Sequence, residues 1–572
     1  MATITTQLET AFRSAIRAAF NLDADPLIAP STTDKFGDYQ SNAAMGLSKE
    51  LSSQGQKTNP RAVADQIVAK LNLQEIATEI SIAGPGFINV RLSPTWLASQ
   101  LAALDDRIGV EKSPHPQTVV VDYSGPNVAK EMHVGHLRST IIGDAISRVL
   151  EFQGHHILRQ NHIGDWGTQF GMLITYLKSF SGGPQGRPHI ADLEDFYRQA
   201  KQKFDADPSF ADQSRHTVVR LQSHGDEELS LWKTIVEETR RSYQPIYERL
   251  SVKLTPADER GESFYNPYLK PVVDDLKSKS LAVESDGATV VPTPGFDNPL
   301  IIEKTGGGYL YATTDLAAIR FRVTELHANR IIYTHDSRQA QHFAQVFIVA
   351  RLAGFAPPAV SLEYAPFGTM LGEDNKPFKT RTGGTVKLKD LLDEAQSRAL
   401  AVITEKNPDL PESQRNQIAS AVGIGAVKYA DLSKDRTSDY VFSWDKMLAM
   451  DGNTAPYLQN AYVRIKSIFR KAGLTAPNNA QIQLLESQEL ALAKHILRFQ
   501  EIVDLVSKEL KPHLLCTYLY ELATRFHSFY EHCPVLKSEE PTRTSRLALA
   551  DLTARTLSAG LDLLGITSPE QM

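Results

Sequence analysis

Residues Asp122–Thr140 read DYSGPNVAKEMHVGHLRST and join an apolar run to a helical pattern. The preceding residues 118–121 are β-branched and almost uniformly apolar, which predicts a strand buried on both faces of a parallel sheet. A Gly-Pro pair at 125–126 ends that strand in a turn. Apolar positions then repeat with helical spacing, so a helix should begin at His133 and carry His133 and His136 one turn apart on one face.

A strand, a turn and a helix in this order can bind phosphate groups. The helix N-terminus attracts anions through its free N–H groups and dipole, and Gly135 has no Cβ to keep a ligand from the backbone. Two histidines at this spacing also occur as surface residues or as half of a metal site, and these alternatives stay open at this point. A zinc site is disfavoured because Val134 and Gly135 stand where an H-E-x-x-H motif would have its acidic base.

The turn also lacks two common phosphate-binding motifs. Neither G-x-G-x-x-G nor G-x-x-x-x-G-K-[ST] occurs there, which disfavours dinucleotide-dependent dehydrogenases and P-loop enzymes. The pattern that remains, H-x-G-H at 133–136, is a signature of nucleotidyl transfer. The residues therefore indicate chemistry on a nucleotide.

The segment PNVAKEMHVGH at 126–136 resembles the HIGH motif of class I aminoacyl-tRNA synthetases, and its flanks resemble arginyl-tRNA synthetases in particular. The resemblance continues through 137–144 and 161–171 and returns at 309–315, 342–345 and 372–388. It implies an arginine–tRNA ligase, which activates L-arginine with ATP to arginyl-adenylate and pyrophosphate. The enzyme then transfers arginine to the 3′-terminal adenosine of arginine tRNA.

The resemblance also implies an α/β fold with three units. A doubly wound parallel (Rossmann-like, HUP-type) catalytic domain would span 118–450, with a charge-rich helical insertion near 180–300. An α+β N-terminal domain that binds the D-loop side of tRNA would span 1–107, and an all-α anticodon-binding domain would span 451–572. A chain of 572 residues is too long for one core, which agrees with about two to four domains.

Periodicity predicts local elements in the two outer units. Helices are expected near 8–20 and 61–71, followed by strand-like alternation at 79–92. The expected C-terminal helices are 455–470, 490–510, 516–531 and 542–564. By resemblance Phe87 and Asn89 contact tRNA, and their alternation puts a ring and an amide on one face of a strand. Ordinary strand packing is the alternative.

Composition bears on compartment and partners. The first residues lack the basic start and apolar stretch of a secretion signal, and no apolar run is long enough to span a membrane, so we expect a cytoplasmic protein without a membrane partner. Cys516 and Cys533 have no C-x-x-C spacing, which suggests neither a disulfide framework nor a zinc ribbon. The net charge of −6 argues against RNA, yet segment 464–471 holds four basic residues. That segment is a candidate RNA contact, with a solvated helix face as the alternative.

Recognition of arginine requires groups that match a planar, permanently charged guanidinium. Carboxylates in a fork geometry with an aromatic or hydroxyl neighbour suit it. Tyr311 and Asp315 are four residues apart, so in a helix both would project to one side. By resemblance these two line the side-chain pocket together with Asp122, where the family also uses Glu. Asn127 and Gln339 would hold the amino and carboxylate groups.

Activation by ATP is an in-line attack of the arginine carboxylate on the α-phosphorus. Catalysis then relies on positioning and on cations near the transferring group. The resemblance implies that His133, Gly135 and His136 bind ATP and that both histidines, as cations with Lys130, serve catalysis. One Mg²⁺ chelated by ATP would bridge phosphates, with no zinc and no metal site on the protein.

The second signature of the class, K-M-S-K, is altered in this chain. Residues 377–383 read PFKTRTG, which puts Thr380 in place of the second lysine of the motif. Many arginyl enzymes share this loss and carry a lysine just before the HIGH segment. We expect Lys130 to supply the missing charge, with Lys379 and Arg381 completing a phosphate clamp and Lys379 also contacting ATP.

Rival interpretations make different demands on the chain. A small-molecule nucleotidyltransferase with H-x-G-H would need neither outer unit. A catalytically silent, synthetase-like RNA-binding protein would not need intact His133, His136 and Asp315. A cysteinyl enzyme is disfavoured because zinc-spaced cysteines are absent from the sequence. We therefore expect an active enzyme, acting as a monomer.

Overall fold

The computed structural model describes residues 2–31, 33–180, 193–305, 307–376, 378, 386–474 and 480–572. Its N-terminal unit contains α1 (Ile4–Phe20), β1 (Ile28–Pro30), β2 (Tyr39–Ser41), α2 (Ala43–Ser53), α3 (Pro60–Lys70), β3 (Ala77–Ala83), β4 (Phe87–Leu92) and α4 (Pro94–Ala102). The strands form an antiparallel sheet in the order β1-β2-β4-β3. Both predicted helices are present, and the strand-like run 79–92 is a pair of strands joined by a turn.

The central unit is built on a parallel sheet. Its first elements are β5 (Thr118–Asp122), α5 (Val134–Phe152), β6 (His156–Gln160) and α6 (Gln169–Lys178). An insertion follows, with α7 (Leu193–Ala206), α8 (Pro208–Gln222), α9 (Asp226–Arg249), α10 (Asn266–Ser278), β7 (Val283–Ser285), β8 (Ala288–Val291) and β9 (Leu300–Glu303). The last elements are α11 (Tyr311–Thr324), β10 (Arg330–Tyr333), α12 (Ala340–Leu352), β11 (Ser361–Tyr364), β12 (Met370–Leu371), α13 (Leu388–Lys406), α14 (Glu412–Leu432), β13 (Tyr440–Val441) and α15 (Trp444–Met447).

The parallel sheet has the order β11-β10-β5-β6 and is covered on both faces. Along β5, Val119 and Val121 belong to one hydrophobic core, which also holds the apolar side of α5. Val120 points the other way, into a second core with α10, α11 and α12. This alternation explains why a doubly buried strand is apolar throughout. The doubly wound parallel fold is confirmed.

The insertion is only partly helical. Helices α7 to α9 form a core of their own with α6, as the charge-rich periodicity predicts. Strands β7, β8 and β9 form an antiparallel sheet, so the prediction of a helical insertion is wrong for residues 283–303. These strands are only three or four residues long, too short for their alternation to stand out in the sequence.

The C-terminal unit is all-helical in the described residues, with α16 (Ala455–Ala472), α17 (Ser487–Ile496), α18 (Phe499–Glu509), α19 (His513–His532) and α20 (Thr542–Leu563). The single helix predicted at 490–510 is instead two helices, α17 and α18, which both pack on α19. One continuous core joins this unit to α5 and to the N-terminal unit. In the described part of the chain, no helix is both long and apolar enough to cross a bilayer.

Candidate functional site

The candidate site lies at the carboxyl ends of the parallel strands, where open α/β sheets bind ligands. Asp122 ends β5 and pairs in register with Tyr333 at the end of β10 and with Gln160 at the end of β6. The three loops that follow therefore begin side by side. They carry two groups of predicted residues, which we call the histidine end (residues 130–136) and the acidic end (Tyr311 and Asp315 with their neighbours).

At the histidine end, the two imidazoles are held by backbone N–H groups. His133 is the N-cap of α5, and its Nδ1 accepts a hydrogen bond from the N–H of Gly135 at 3.1 Å. The Nδ1 of His136 accepts from the N–H of His133, also at 3.1 Å, and the two ring centroids lie 4.0 Å apart. Because each Nδ1 is an acceptor, each neutral ring carries its proton on Nε2. A Cβ on Gly135 would lie 2.8 Å from the His133 ring, so glycine is required there.

Both histidines are neutral at physiological pH. Burial, and then the neighbouring Lys130 ammonium, lower the pKa of His133 below its ordinary value near 6.5. Burial, and then His133, lower the pKa of His136 to about 3. These shifts favour neutral rings in the free protein over the cations expected from the sequence. They are neutral Nε2–H donors, which can bind phosphate oxygens without being protonated, and Lys130 is the cation of this segment.

Lys130 is exposed beside this pair. Its Nζ lies 5.0 Å from the centroid of the Tyr197 ring, which belongs to α7 of the insertion. The preceding Ala129 has a φ of 62° and donates its N–H to Thr239 Oγ1 at 3.0 Å. The backbone is thus fixed just before Lys130, while the ammonium remains accessible to a ligand.

The residues that follow the second signature run beside the histidine end. Lys379, Thr380 and Arg381 lie outside the described residues, but the chain resumes at Val386, whose carbonyl accepts from the N–H of Val134 at 3.0 Å. The N–H of Leu388 donates to the carbonyl of Met132 at 2.9 Å, and Lys387 forms a backbone bridge with His133. The residue ranges 132–134 and 386–388 therefore run side by side. This pairing places residues 386–388, which follow the second signature in the sequence, beside the first signature.

The acidic end is formed by α11 and α12. Tyr311 and Asp315 lie one turn apart at the start of α11, as the spacing predicts. Nε2 of His342 lies 2.6 Å from Oδ2 of Asp315, and the Tyr311 and His342 rings are 5.0 Å apart. Tyr311 is 66% exposed, whereas only 16% of the Asp315 side chain is. Tyr311 is therefore accessible at the surface, whereas Asp315 is largely covered.

A carboxylate that sequence reasoning missed also lies at the acidic end. Glu262 belongs to a short 3-10 turn, Glu262–Tyr265, that packs against α11. Burial, and then the nearby Asp165 and Asp315, raise its pKa to about 7. Two neighbouring acidic groups thus act on the half-buried Glu262 carboxyl, which favours a bound cation there. No local sequence pattern in the charge-rich insertion predicts a role for Glu262. Its acidic neighbours are brought close only by the tertiary packing against α11.

Asp122 is placed differently from the other predicted pocket residues. Its side chain is 3% exposed, and Oδ2 accepts from Arg322 NH2 at 2.6 Å. His335 Nε2 lies 3.5 Å from Oδ1. Burial alone would raise the pKa of Asp122, but Arg322 and His335 hold it below its usual range. Its charge is thus neutralised inside the protein, and the structure does not bring it to the pocket surface.

The Arg322–Asp122 pair should contribute strongly to stability. Replacing Arg322 by Met would leave a buried, unpaired carboxylate, and we expect a loss of about 3–5 kcal/mol in the free energy of unfolding. Arg320→Met is the matched control on the same helix, because Arg320 is 40% exposed and its ion pair with Asp275 is long, 3.7 Å. Urea unfolding followed by circular dichroism measures both. Equal losses in the two variants would contradict the assignment.

The remaining predicted residues fall in two places. Asn127 is exposed just after β5 and forms a backbone bridge with Gly164, and Gln339 is exposed at the end of a 3-10 turn after β10. In the N-terminal unit, Phe87 and Asn89 do alternate along β4. Asn89 is only 3% exposed, however, and its amide atoms have no hydrogen-bond partner among the described residues. Phe87 is half-buried, so it is the more accessible of the pair.

Neither a metal cluster nor a disulfide is found in the part of the chain that the structure describes. No group of three or more His, Cys, Asp or Glu residues there could hold a metal ion. Cys516 and Cys533 are both buried free thiols. The arrangement as a whole offers neutral N–H donors and a lysine at one end, and acidic groups at the other. Such a site can bind an anionic and a cationic substrate side by side.

Comparison with known proteins finds three family models that match successive parts of the chain. Residues 99–444 match the family model described as tRNA synthetases class I (R), catalytic domain. Residues 6–92 match the arginyl tRNA synthetase N-terminal domain, and 458–572 match the DALR anticodon-binding domain. The arginine–tRNA ligase of Cellvibrio japonicus is 55% identical over 563 residues, covering 96% of each chain. That of Laribacter hongkongensis is 52% identical over the full length of both.

A solved structure is similar as well. The arginyl-tRNA synthetase of Plasmodium falciparum superimposes with a TM-score of 0.88 at 33% identity, and the match covers 100% of both chains. The similarity therefore includes all three units and their order along the chain.

Proposed function

Because the chain belongs to the class I arginyl-tRNA synthetase family, we propose that the edge of its parallel sheet is where arginine and ATP react. The enzyme is an arginine–tRNA ligase: it converts L-arginine and ATP to arginyl-adenylate and pyrophosphate, and then esterifies the 3′-terminal adenosine of arginine tRNA. The observation that carries the assignment of the site is the acidic end, where His342 contacts Asp315 and where burial, and then Asp165 and Asp315, raise the pKa of Glu262.

The guanidinium of arginine would bind between these carboxylates. His342, 2.6 Å from Asp315, fixes one oxygen and leaves the other for a charge-assisted hydrogen bond. The exposed Tyr311 ring would close over the side chain, and Asn127 and Gln339 would hold the amino and carboxylate groups. Asp122 would act indirectly: it would fix Arg322 and His335 by pairing with them inside the protein, and it would not contact the substrate.

ATP would bind at the histidine end. The Nε2–H groups of His133 and His136 would donate to phosphate oxygens, and Gly135 would let the nucleotide approach the helix N-terminus. Lys130 would supply the positive charge as negative charge builds on the transferring phosphate. We assign Lys379 and Arg381 to the same task, an assignment supported by the backbone pairing of residues 386–388 with 132–134.

Mg²⁺ would arrive with ATP. The histidine segment offers nitrogen donors, whereas Mg²⁺ prefers oxygen ligands, so phosphate oxygens and water would hold the ion. In the second step the tRNA is the acceptor. Candidate RNA contacts are Phe87 and Asn89 in the N-terminal unit and the basic residues of α16, although Lys466 and Arg470 also contact Glu570 near the chain end.

One aminoacylation experiment tests the proposed site and its specificity. The enzyme is given ATP, arginine tRNA and one of three amino acids: arginine, lysine or citrulline. Citrulline has the shape of arginine without its charge, and lysine has the charge without the planar fork. We expect charging of the tRNA with arginine and at least about 1,000-fold lower kcat/KM with the other two. Citrulline would leave the carboxylates without a cation, and the compact ammonium of lysine could not bridge them as a planar guanidinium does. Efficient charging with citrulline would contradict an acidic pocket.

Arginine binding should depend on pH through Glu262. The pKa of Glu262 is about 7 in the free protein. Below that pH the carboxyl holds a proton that the guanidinium must displace, so the Kd for arginine should rise about tenfold from pH 8 to pH 6. Calorimetry in buffers of different ionisation enthalpy would count the released proton. Glu262→Gln should bind more weakly at pH 8 and lose this pH dependence, whereas Glu284→Gln, at an exposed position, should keep it.

Two further assignments are proposals. We place the enzyme in the cytoplasm, which suits the free thiols of Cys516 and Cys533. We also propose that it acts as a monomer. Light scattering at assay concentration tests the second point.

A further inference from the structure

One face of α7, in the insertion, contacts two segments at the histidine end. One contains Lys130 and the other contains Lys387. Glu194 and Tyr197 are three residues apart and so share that face. The ring of Tyr197 lies 5.0 Å from Lys130 Nζ. Oε2 of Glu194 lies 3.5 Å from Nζ of Lys387, which also pairs with Glu131 at 2.5 Å. Glu194 is also near enough to His133 to influence its pKa.

The adjoining side of α7 is anchored in the core of the insertion, and the half-buried Tyr197 packs against the same core. Leu193, Phe196 and Ala200 are buried in the hydrophobic core of the insertion. The same core contains Val128 and Ala129, the two residues just before Lys130. The helix that carries Tyr197 and the backbone that carries Lys130 are therefore packed into one body. This packing fixes the position of the Tyr197 helix relative to the backbone that carries Lys130.

We propose that Tyr197 is a positioning residue for adenylate formation, holding the Lys130 ammonium beside the histidines by a cation–π contact. The inference rests on the proposed function of Lys130. A lysine on an exposed loop has many rotamers, and only a few of them direct Nζ to the phosphate of a bound nucleotide. The negative face of an aromatic ring favours those in which the ammonium lies over it. Tyr197 acts through Lys130 and does not touch the substrate.

Tyr197 is a better candidate for a positioning residue than Glu194. Glu194 is exposed and shares Lys387 with Glu131, so its loss leaves Lys387 with another carboxylate. For Lys130, by contrast, the ring of Tyr197 is the contact that the structure provides. The ring itself is the feature required, and its hydroxyl is not.

A double-mutant cycle tests the proposal on the full-length enzyme. The single-turnover rate of adenylate formation and the Kd for arginine are measured for Tyr197→Leu, Tyr197→Phe, Lys130→Met and the Tyr197→Leu/Lys130→Met pair. We expect Tyr197→Leu to slow adenylate formation about tenfold and Tyr197→Phe to stay within about twofold of wild type, with arginine affinity unchanged in both. In the Lys130→Met background, Tyr197→Leu should cause no further loss.

Phe204→Leu is the matched control. Phe204 lies on the same helix with a lysine, Lys201, 5.7 Å from its centroid, but it is two turns further from the histidines. Its rate should match wild type, and thermal melts confirm that every variant is folded. An equal loss from Tyr197→Leu in both backgrounds, or a loss in Tyr197→Phe as large as in Tyr197→Leu, would overturn the role of Tyr197 alone. A wild-type rate for Lys130→Met would instead overturn the role of Lys130 in the proposed function, and this proposal with it.

Discussion

Replacing Asp315 by Asn should lower kcat/KM for arginine about 1,000-fold. The largely buried Asp315 carboxylate is held by His342 at 2.6 Å, and the substrate guanidinium would be its second partner. Removing one charge from such a pair costs about 3–5 kcal/mol, because the other charge is left unpaired in a poorly solvated space. We expect the loss to appear mainly in the KM and Kd for arginine, measured by aminoacylation and calorimetry, while the Kd for ATP stays within about twofold.

The matched control is Asp274→Asn on α10. Asp274 also pairs with a basic side chain, Lys270, but both are exposed. Such a surface pair contributes little, so kinetics should be those of wild type. Two results would contradict the proposed pocket. One is an arginine KM within tenfold of wild type in Asp315→Asn, and the other is an equal rise in the KM for ATP.

Replacing Lys130 by Met should slow adenylate formation about 100-fold without weakening arginine binding. With both histidines neutral, Lys130 is the cation of the segment 130–136. Loss of one group that stabilises developing charge typically costs about 100- to 1,000-fold in rate. Rapid-quench measurement of arginyl-adenylate, together with the Kd for arginine, separates the two effects.

Lys270→Met serves as the control for removing a lysine from the surface of the central unit, since Lys270 is 73% exposed. Its rate of adenylate formation should be unchanged. If Lys130→Met reduced arginine affinity and the adenylation rate in the same proportion, Lys130 would be a binding or folding residue rather than a catalytic one.

Local patterns in the sequence predicted the parts of the site that are local. The doubly buried β5, the helix that begins at His133 and the one-turn spacing of Tyr311 and Asp315 all follow from periods of two and 3.6 residues. The same signal failed where packing overrode it, at the break between α17 and α18. It also failed at β7 to β9, whose strands are too short to show a period.

Charge pairing could not be predicted in this way. Asp122 and Arg322 are 200 residues apart, and each alone resembles a solvated or ligand-binding charge. The fold brings β5 and α11 together and turns the predicted arginine contact into an internal pair. Glu262 shows the reverse case, because an unremarkable glutamate of the insertion gains a raised pKa from Asp165 and Asp315.

The sequence by itself determined the family, the order of the three units and the presence of His133, Gly135 and His136 at a helix start. These features depend on residue types at fixed, short spacings, which the chain preserves whatever its tertiary arrangement. The tertiary structure alone decided the protonation of the histidines, the partner of Asp122 and the closeness of Tyr197 to Lys130. The physical reason is that burial and the electrostatic field depend on which distant segments pack together, and no local pattern records that.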